Sequence, residues 1–514
     1  MTGEKERKHL DFELNKTSLP YHRLMFHTTV SREESVEMIV PDSCPDIARL
    51  LDTSAICCLD TKEALEDTIS LAGRIYGRIL YLADGTDALC SLPAALDFQC
   101  GISQEGILPS CQVIALTRVR TAETKAVNSR KVLVRVQYEV SLRVYQPDLL
   151  TIPCGVEQGD GVEQRLESAE GYFAVAVPEK QFQFQDDLTL SGGQPAIGEV
   201  LRMQPDVTCT EAKLIGGKLV FKGEVSVRML YRSVEEDVLT ADFVLPYSQI
   251  MDAAEAAEHA DFQMEVALLG WTLGELDYDG RSIPIDLELY ACAEVRQVET
   301  VSLLADAYSV RQEVTAHYAP YTFPQLAERC IRRESKRELL ETETPDGTVL
   351  DLSTKTVQTT VTKAAGSLKA ASVVEMTVLW VDDAGDVETL IRQVTVETEV
   401  PVTGDVEALV RSQVTDRSAL PAANGLELRL GVTFQILLLR QMEQLGIASL
   451  SAEETAPQET GERPSIVLRQ MAAGETLWDI AKAYQTTVNE IQQANDMEDQ
   501  PTEPGVLLLI PRTR

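Results

Sequence analysis

Cations are scarce in this chain of 514 residues: 46 Lys and Arg stand against 81 Asp and Glu, a formal charge of −35. Phosphate backbones and anionic lipid surfaces are held by clustered Lys and Arg, so this balance argues against nucleic-acid and anionic-membrane partners. It favours solubility and, weakly, basic partners. Long apolar runs are missing too. The opening MTGEKERKHLDFELNKTSLPYHRL carries no apolar leader core, and no stretch approaches 18 apolar residues, so the reading expects a cytosolic protein without a transmembrane segment. Histidine occurs five times, scattered at 9, 22, 27, 259 and 317, and none of the ten cysteines forms a C-x-x-C. Zinc ligation therefore has no spacing behind it, and the cysteines read as reduced, small buried hydrophobes. G-x-S-x-G, Walker A and H-E-x-x-H are absent as well. The expectation is a non-enzyme with no catalytic, cofactor-binding or metal-binding residues.

What is present is periodicity. With 44% hydrophobic and 25% charged residues the chain can build ordinary cores, and its length calls for several domains. Segments Leu71–Tyr81, Phe221–Tyr231 and Ala371–Trp380 match one another, with Leu80, Leu230 and Leu379 spaced 150 and 149 residues apart. Upstream, Pro45–Leu51 matches Pro195–Leu201 at the same interval. Downstream come three alternating runs: Val134, Val136, Tyr138, Val140, Leu142, Val144; Ile283, Ile285, Leu287, Leu289; and Leu426, Leu428, Leu430, Val432, Phe434, Ile436. Period two over so many residues means strands with one buried and one wet face, hence antiparallel sheets. Asp84-Gly85 and Asp382–Gly385 supply turns after the first strand of the pattern. The interval is too long for a solenoid unit, so the repeats are tandem domains, sandwich-like in character.

The last 50 residues are built differently. Thr476 with Asp479, and Thr487 with Glu490, have capping-box spacing. Leu477, Ile480, Ala481 and Tyr484 form one helical face, and Val488, Ile491 and Ala494 a second. Flanking runs Ile466–Met471 and Val506–Ile510 are strand-like, which predicts strand, helix, helix, strand. Before them, residues 451–464 are rich in Glu, Thr and Pro and read as a tether reaching roughly 20 Å.

Gly474-Glu475-Thr476-Leu477-Trp478-Asp479-Ile480-Ala481, then Asn489, Ile491 and Asn495, then Pro504-Gly505 and Leu509-Ile510-Pro511, resemble a LysM domain. The resemblance implies a βααβ fold that binds N-acetylglucosamine polymers, with a groove lined by Gly474, Glu475, Thr476 and Leu477 on one side and Asn495, Ile510 and Pro511 on the other. Glu475 stands where the family usually has Asp, and Val506 where Gln is common. Acidic Asp496, Glu498, Asp499 and Glu503 edge the connecting loop, which suits a basic protein surface as well as a sugar. The three β-repeats are similar to SPOCS domains, a spore-coat-associated family. The resemblance is carried by Val40-Pro41-Asp42, Cys44-Pro45-Asp46-Ile47, the Gly73 and Gly223 strands ending in Leu-Tyr, and Arg332-Arg333-Glu334-Ser335. Three such copies followed by one LysM resemble the SipL type of spore morphogenetic protein. That resemblance implies action in the mother-cell cytoplasm at the forespore surface, with the LysM module docking a coat-basement ATPase of the stage IV sporulation protein A type.

The expected fold is mainly β: three tandem antiparallel sandwich-like domains and a small C-terminal βααβ domain. The expected boundaries are an extension at 1–35, β-domains at 36–150, 186–300 and 326–445, connectors at 151–185 and 301–325, a flexible acidic linker at 446–464, and the LysM domain at 465–514. Three functional readings stay open: a coat assembly factor, a peptidoglycan-binding adaptor, and an enzyme with an unrecognised site.

Overall fold

The computed structural model describes residues 9–157, 161–342, 347–364, 366–382, 385–422, 425–453, 465–497 and 505–511. The chain opens with β1 (His9–Asp11), β2 (Leu14–Ile39), β3 (Ile47–Leu65), β4 (Thr68–Ala83), β5 (Leu89–Ser103), β6 (Gln112–Asn128) and β7 (Lys131–Val156). A second set follows: β8 (Val162–Ala176), β9 (Glu179–Thr189), β10 (Ile197–Ile215), β11 (Lys218–Ser233), β12 (Val238–Asp252), β13 (Asp261–Leu273) and β14 (Ser282–Ser309). The third holds β15 (Val314–Glu341), β16 (Thr348–Ala364), β17 (Ser367–Val381), β18 (Val387–Pro401), β19 (Glu407–Ala422) and β20 (Gly425–Glu453). A final module has β21 (Ile466–Gln470), α1 (Leu477–Tyr484), α2 (Val488–Ala494) and β22 (Leu507–Pro511).

Each set is a sandwich of two antiparallel three-stranded sheets. In the first, β3-β4-β5 packs on β2-β7-β6; in the second, β10-β11-β12 on β9-β14-β13; in the third, β16-β17-β18 on β15-β20-β19. The alternating runs are the centres of these cores: Val134, Val136, Tyr138, Val140, Leu287, Leu289, Phe434 and Ile436 are all at most 1% exposed. Gly73 and Gly223 sit opposite bulges, where an added Cβ would meet the carbonyl oxygens of Cys58 and Thr208 at 2.1 Å and the rings of Phe98 and Tyr247. An aromatic ring covering a strand glycine is a known sheet device. The third repeat has Ser372 opposite Val396 instead. The SPOCS-like prolines are part of a clamp: Arg130 donates to the carbonyls of Val40 and Pro41 and pairs with Asp46, while the Tyr81 hydroxyl donates to the Pro45 carbonyl. Arg281 and Tyr231 repeat this on Gln194, Ser191 and Pro195.

Two expectations are corrected. The segments 1–35, 151–185 and 301–325, expected as extension and connectors, are largely strand where described, because β7, β14 and β20 run 26, 28 and 29 residues and continue past their sandwiches. Their far halves pair with β2, with β8, and with β15 and β1. Ile152, Phe173, Val295, Leu303 and Phe323 then join these ribbons in a further core. Pro178, which cannot donate to a ladder, lies at the break between β8 and β9. The wet face expected on β7 also fails midway: Glu139 and Arg143 are each only 8% exposed, because that face turns toward the neighbouring repeats.

The three sandwiches close into a ring. Leu80, Leu230 and Leu379 meet in one cluster with Leu201, Leu51 and Leu350, so equivalent residues converge on a pseudo-threefold axis. Contacts between repeats recur cyclically. The Arg120 guanidinium donates to the Val357 carbonyl at 2.8 Å, Arg417 lies 3.5 Å from Asp206, and Trp271 packs beside Tyr76. Beside the leucines, Arg202 lies between Asp52 and Asp351, its equivalents in the other two repeats, and Arg228 also reaches Asp351. A second buried network joins Arg143 to Glu265 and Glu294, with Arg411 on both acids. Burial opposes ionisation of Glu294, but Arg143, Arg411 and Arg296 outweigh it and hold the carboxyl at about 2.

Along the axis lies a cavity of about 1050 Å³, walled by β3, β10 and β16 and by β6, β13 and β19.

Two outcomes follow for stability. Arg202→Met should cost about 3–5 kcal/mol in denaturant unfolding, because it leaves Asp52 without its cation and Asp351 with Arg228 alone. Replacing Asp52, Arg202, Arg228 and Asp351 together by apolar residues of similar volume should recover most of that loss. In pH-dependent unfolding, the lowered carboxyl of Glu294 contributes stability that is complete above the unfolded value of about 4.3. It should be lost as pH falls from there through about 2.

Candidate functional site

Both capping boxes form in the C-terminal module. The Asp479 amide donates to Thr476 Oγ1 at 3.2 Å and the Thr476 amide to Asp479 Oδ2 at 2.9 Å. Glu490 and Thr487 do the same at 3.0 and 3.1 Å. Each cap contributes about 1 kcal/mol. That matters here, because helices of 8 and 7 residues are too short to persist alone. Ile480, Ala481, Ile491, Leu508 and Ile510 fill the core beneath them.

The seven expected groove residues divide into two groups. Gly474, at φ 81, and Thr476 are exposed, and the space beside Gly474 is open. Leu477 and Pro511 are half-buried. The other three are committed internally. Glu475 accepts from Arg469 at 2.5 Å and from the Ala472 amide at 3.1 Å. Asn495 donates to the Ile491 and Leu509 carbonyls and accepts from the Leu509 amide, all at 2.7 Å, bracing α2 against β22. Ile510 is fully buried, so its side chain is closed to a ligand and only its backbone can face one. Of the acids expected on the rim, Asp496 is exposed; Glu498, Asp499 and Glu503 lie outside the described residues.

A different surface stands open. β21 and β22 pair with Leu468 opposite Leu509 and Ile466 opposite Pro511. Their outward side chains Ile466, Leu468, Leu507 and Leu509 are 59, 63, 61 and 38% exposed. The inward set, Val467, Leu508 and Ile510, is in the core, so this is period-two alternation with apolar residues on both faces.

The module is also clasped to the body. Asp306 on β14, 8% exposed, accepts from Trp478 Nε1 at 2.8 Å, from Lys482 Nζ at 2.7 and 2.9 Å, and from the Tyr318 hydroxyl at 2.9 Å. Burial raises this carboxyl, but the bonds from Lys482, Trp478 and Tyr318 outweigh it and hold it below the usual range. Tyr308 enters the module's core, its ring edge-on to Trp478 at 4.9 Å and its hydroxyl donating to the Thr486 carbonyl at 2.8 Å. Arg165 lies 5.8 Å from the Trp478 ring. Sequence reasoning missed Asp306 and Tyr308. The available signal was the lone acid in the otherwise apolar Leu303-Leu304-Ala305-Asp306-Ala307-Tyr308. Part of the expected linker is corrected as well: residues 446–453 belong to β20, paired with β15 and β1, while 454–464 lie outside the described residues. The basic stretch Arg332-Arg333 with Lys336-Arg337 is exposed on β15, at the edge of its sheet, where cations discourage pairing with another chain.

If Asp306 holds the module, Asp306→Ala should release it. Amide exchange should then rise in α1 and around Tyr308 while β7, β14 and β20 keep their protection. In the unmodified chain the clasp is complete above the ordinary carboxylate range and should loosen only as pH falls below it.

No group of three or more potential metal ligands occurs among the described residues, and no described helix is long and apolar enough to cross a membrane. All ten cysteines are free, five of them buried. Comparison with protein families finds a LysM domain over residues 472–511. It also finds a SipL, SPOCS domain over residues 196–272, which spans β10 to β13 of the second repeat. No curated protein matches the chain. The second repeat thus carries a SipL, SPOCS domain and the C-terminal module a LysM domain.

Proposed function

We propose that the protein is a non-enzymatic assembly factor of the spore coat, whose LysM module docks a protein partner while the ring of repeats serves as scaffold. The coexistence of SPOCS and LysM domains supports a sporulation role. The observation that carries protein docking is the aliphatic strip Ile466, Leu468, Leu507 and Leu509. A neutral sugar is held by hydrogen bonds and stacking rings, neither of which four aliphatic side chains provide. A protein surface buries them at about 25 cal/mol per Å². The partner in this reading is the coat-basement ATPase of the stage IV sporulation protein A type, met in the mother cell at the forespore surface.

The test is capture of that purified ATPase by the full chain. Leu468→Asp combined with Leu509→Asp should weaken capture at least tenfold and leave the thermal transition of the body in place. Unchanged capture would reject the docking surface. Micromolar binding of N-acetylglucosamine oligomers, lost in Leu477→Asp, would instead favour the glycan reading of the Gly474–Leu477 loop.

A further inference from the structure

The axial cavity has features that packing alone does not account for. Its walls are equivalent segments of three repeats: Thr53–Cys57 on β3, Met203–Val207 on β10 and Ser353–Thr356 on β16. Most of its ionised side chains are matched. Asp52 pairs with Arg202, Arg118 with Glu139, Lys355 with Glu375 and Arg417 with Asp206. Arg78 is different. Among the described residues no carboxylate lies within 4 Å of it, and its guanidinium has only a 3.5 Å contact to Ser91 Oγ. The pseudo-symmetry explains why. The equivalent Arg228 reaches into the next repeat and finds Asp351, whereas the corresponding position facing Arg78 is Arg202, a cation. Burial disfavours the Arg78 charge, and only the field of Glu199 offsets this. In a chain with 81 acids, this half-buried arginine lines the cavity with no carboxylate beside it, and a guanidinium is suited to holding an anionic group.

On the same wall, Tyr76 of β4 and Trp271 of β13 stand with ring centroids 6.0 Å apart and planes at 60°, one from each of two repeats. Small side chains at Ser54, Ala55, Ala94 and Ala95 keep the neighbouring space open. A volume near 1050 Å³ matches the upper range of small-molecule pockets.

We propose that this cavity binds a small anion with a flat apolar body, its carboxylate, sulfonate or phosphate group on Arg78 and its body against Tyr76 and Trp271. Such a ligand would touch two repeats at once and so stabilise the closed ring in proportion to its occupancy.

The probe is 8-anilinonaphthalene-1-sulfonate, titrated into the full chain and followed by its own fluorescence and by energy transfer from tryptophan. The expected result is saturable binding of one molecule per chain. Arg78→Met should weaken it at least tenfold, Arg78→Lys should retain much of it, and Trp271→Phe should reduce the energy transfer without changing the stoichiometry. Arg392→Met, which removes a distant surface cation, should leave it unchanged, and all four variants should keep the parent circular dichroism. Absence of saturable binding, or equal affinity in Arg78→Met, would overturn the proposal.

Discussion

The structure depends on a mismatch placed on an axis of near-symmetry. Three similar sandwiches could close with three identical contacts, yet the equivalent positions 52, 202 and 351 carry Asp, Arg and Asp, and a second arginine, Arg228, comes from the next strand of the second repeat. Like charges at all three would repel, and the order present matches two aspartates with two arginines. The second network, Arg143 and Arg411 with Glu265 and Glu294, is equally unsymmetrical. Apolar leucines supply the burial; the ion clusters supply the arrangement. From this arrangement come the cavity, the unmatched Arg78 and the position of β14, whose far end carries the C-terminal module.

Much of the fold was legible in local pattern, and what was not depended on contacts across long sequence distances. Alternation located β7, β14 and β20 because their inner faces belong to one sandwich each. It could not reveal that these strands run on into a shared ribbon core, since apolar spacing is the same whether the cover is the strand's own sandwich or a neighbour's. Glu139 and Arg143 looked wet for the same reason: charge in a strand reads as solvent until a partner such as Arg118 or Glu294 is placed opposite. Gly73 and Gly223 were visible as repeated glycines, but their function, making room for Phe98 and Tyr247 opposite a bulge, required the register.

The C-terminal module divides in the same way. Its helices, caps and strands follow from spacing of a few residues, and Thr476 and Thr487 cap as their sequence indicates. Its attachment does not. Asp306 and Trp478 are 172 residues apart, and neither announces the other. A Trp at the second position of a helix reads as core, and here its ring makes a T-shaped contact with a tyrosine from the body while its indole N–H donates to an aspartate there. The expected groove was legible as a loop. That Asn495 and Glu475 are spent on bracing it could be learned only from their hydrogen bonds. The result is a module held by one side, with its aliphatic sheet face left toward solvent.

Because the repeats share their central contacts, none of them should open alone. Native-state hydrogen exchange of the full chain, read on the inner amides of β7, β14 and β20 as denaturant is raised, tests this most directly. The account predicts that the three strands converge on one common opening free energy. Three separate plateaus, with one sandwich exchanging freely while the other two stay protected, would contradict it.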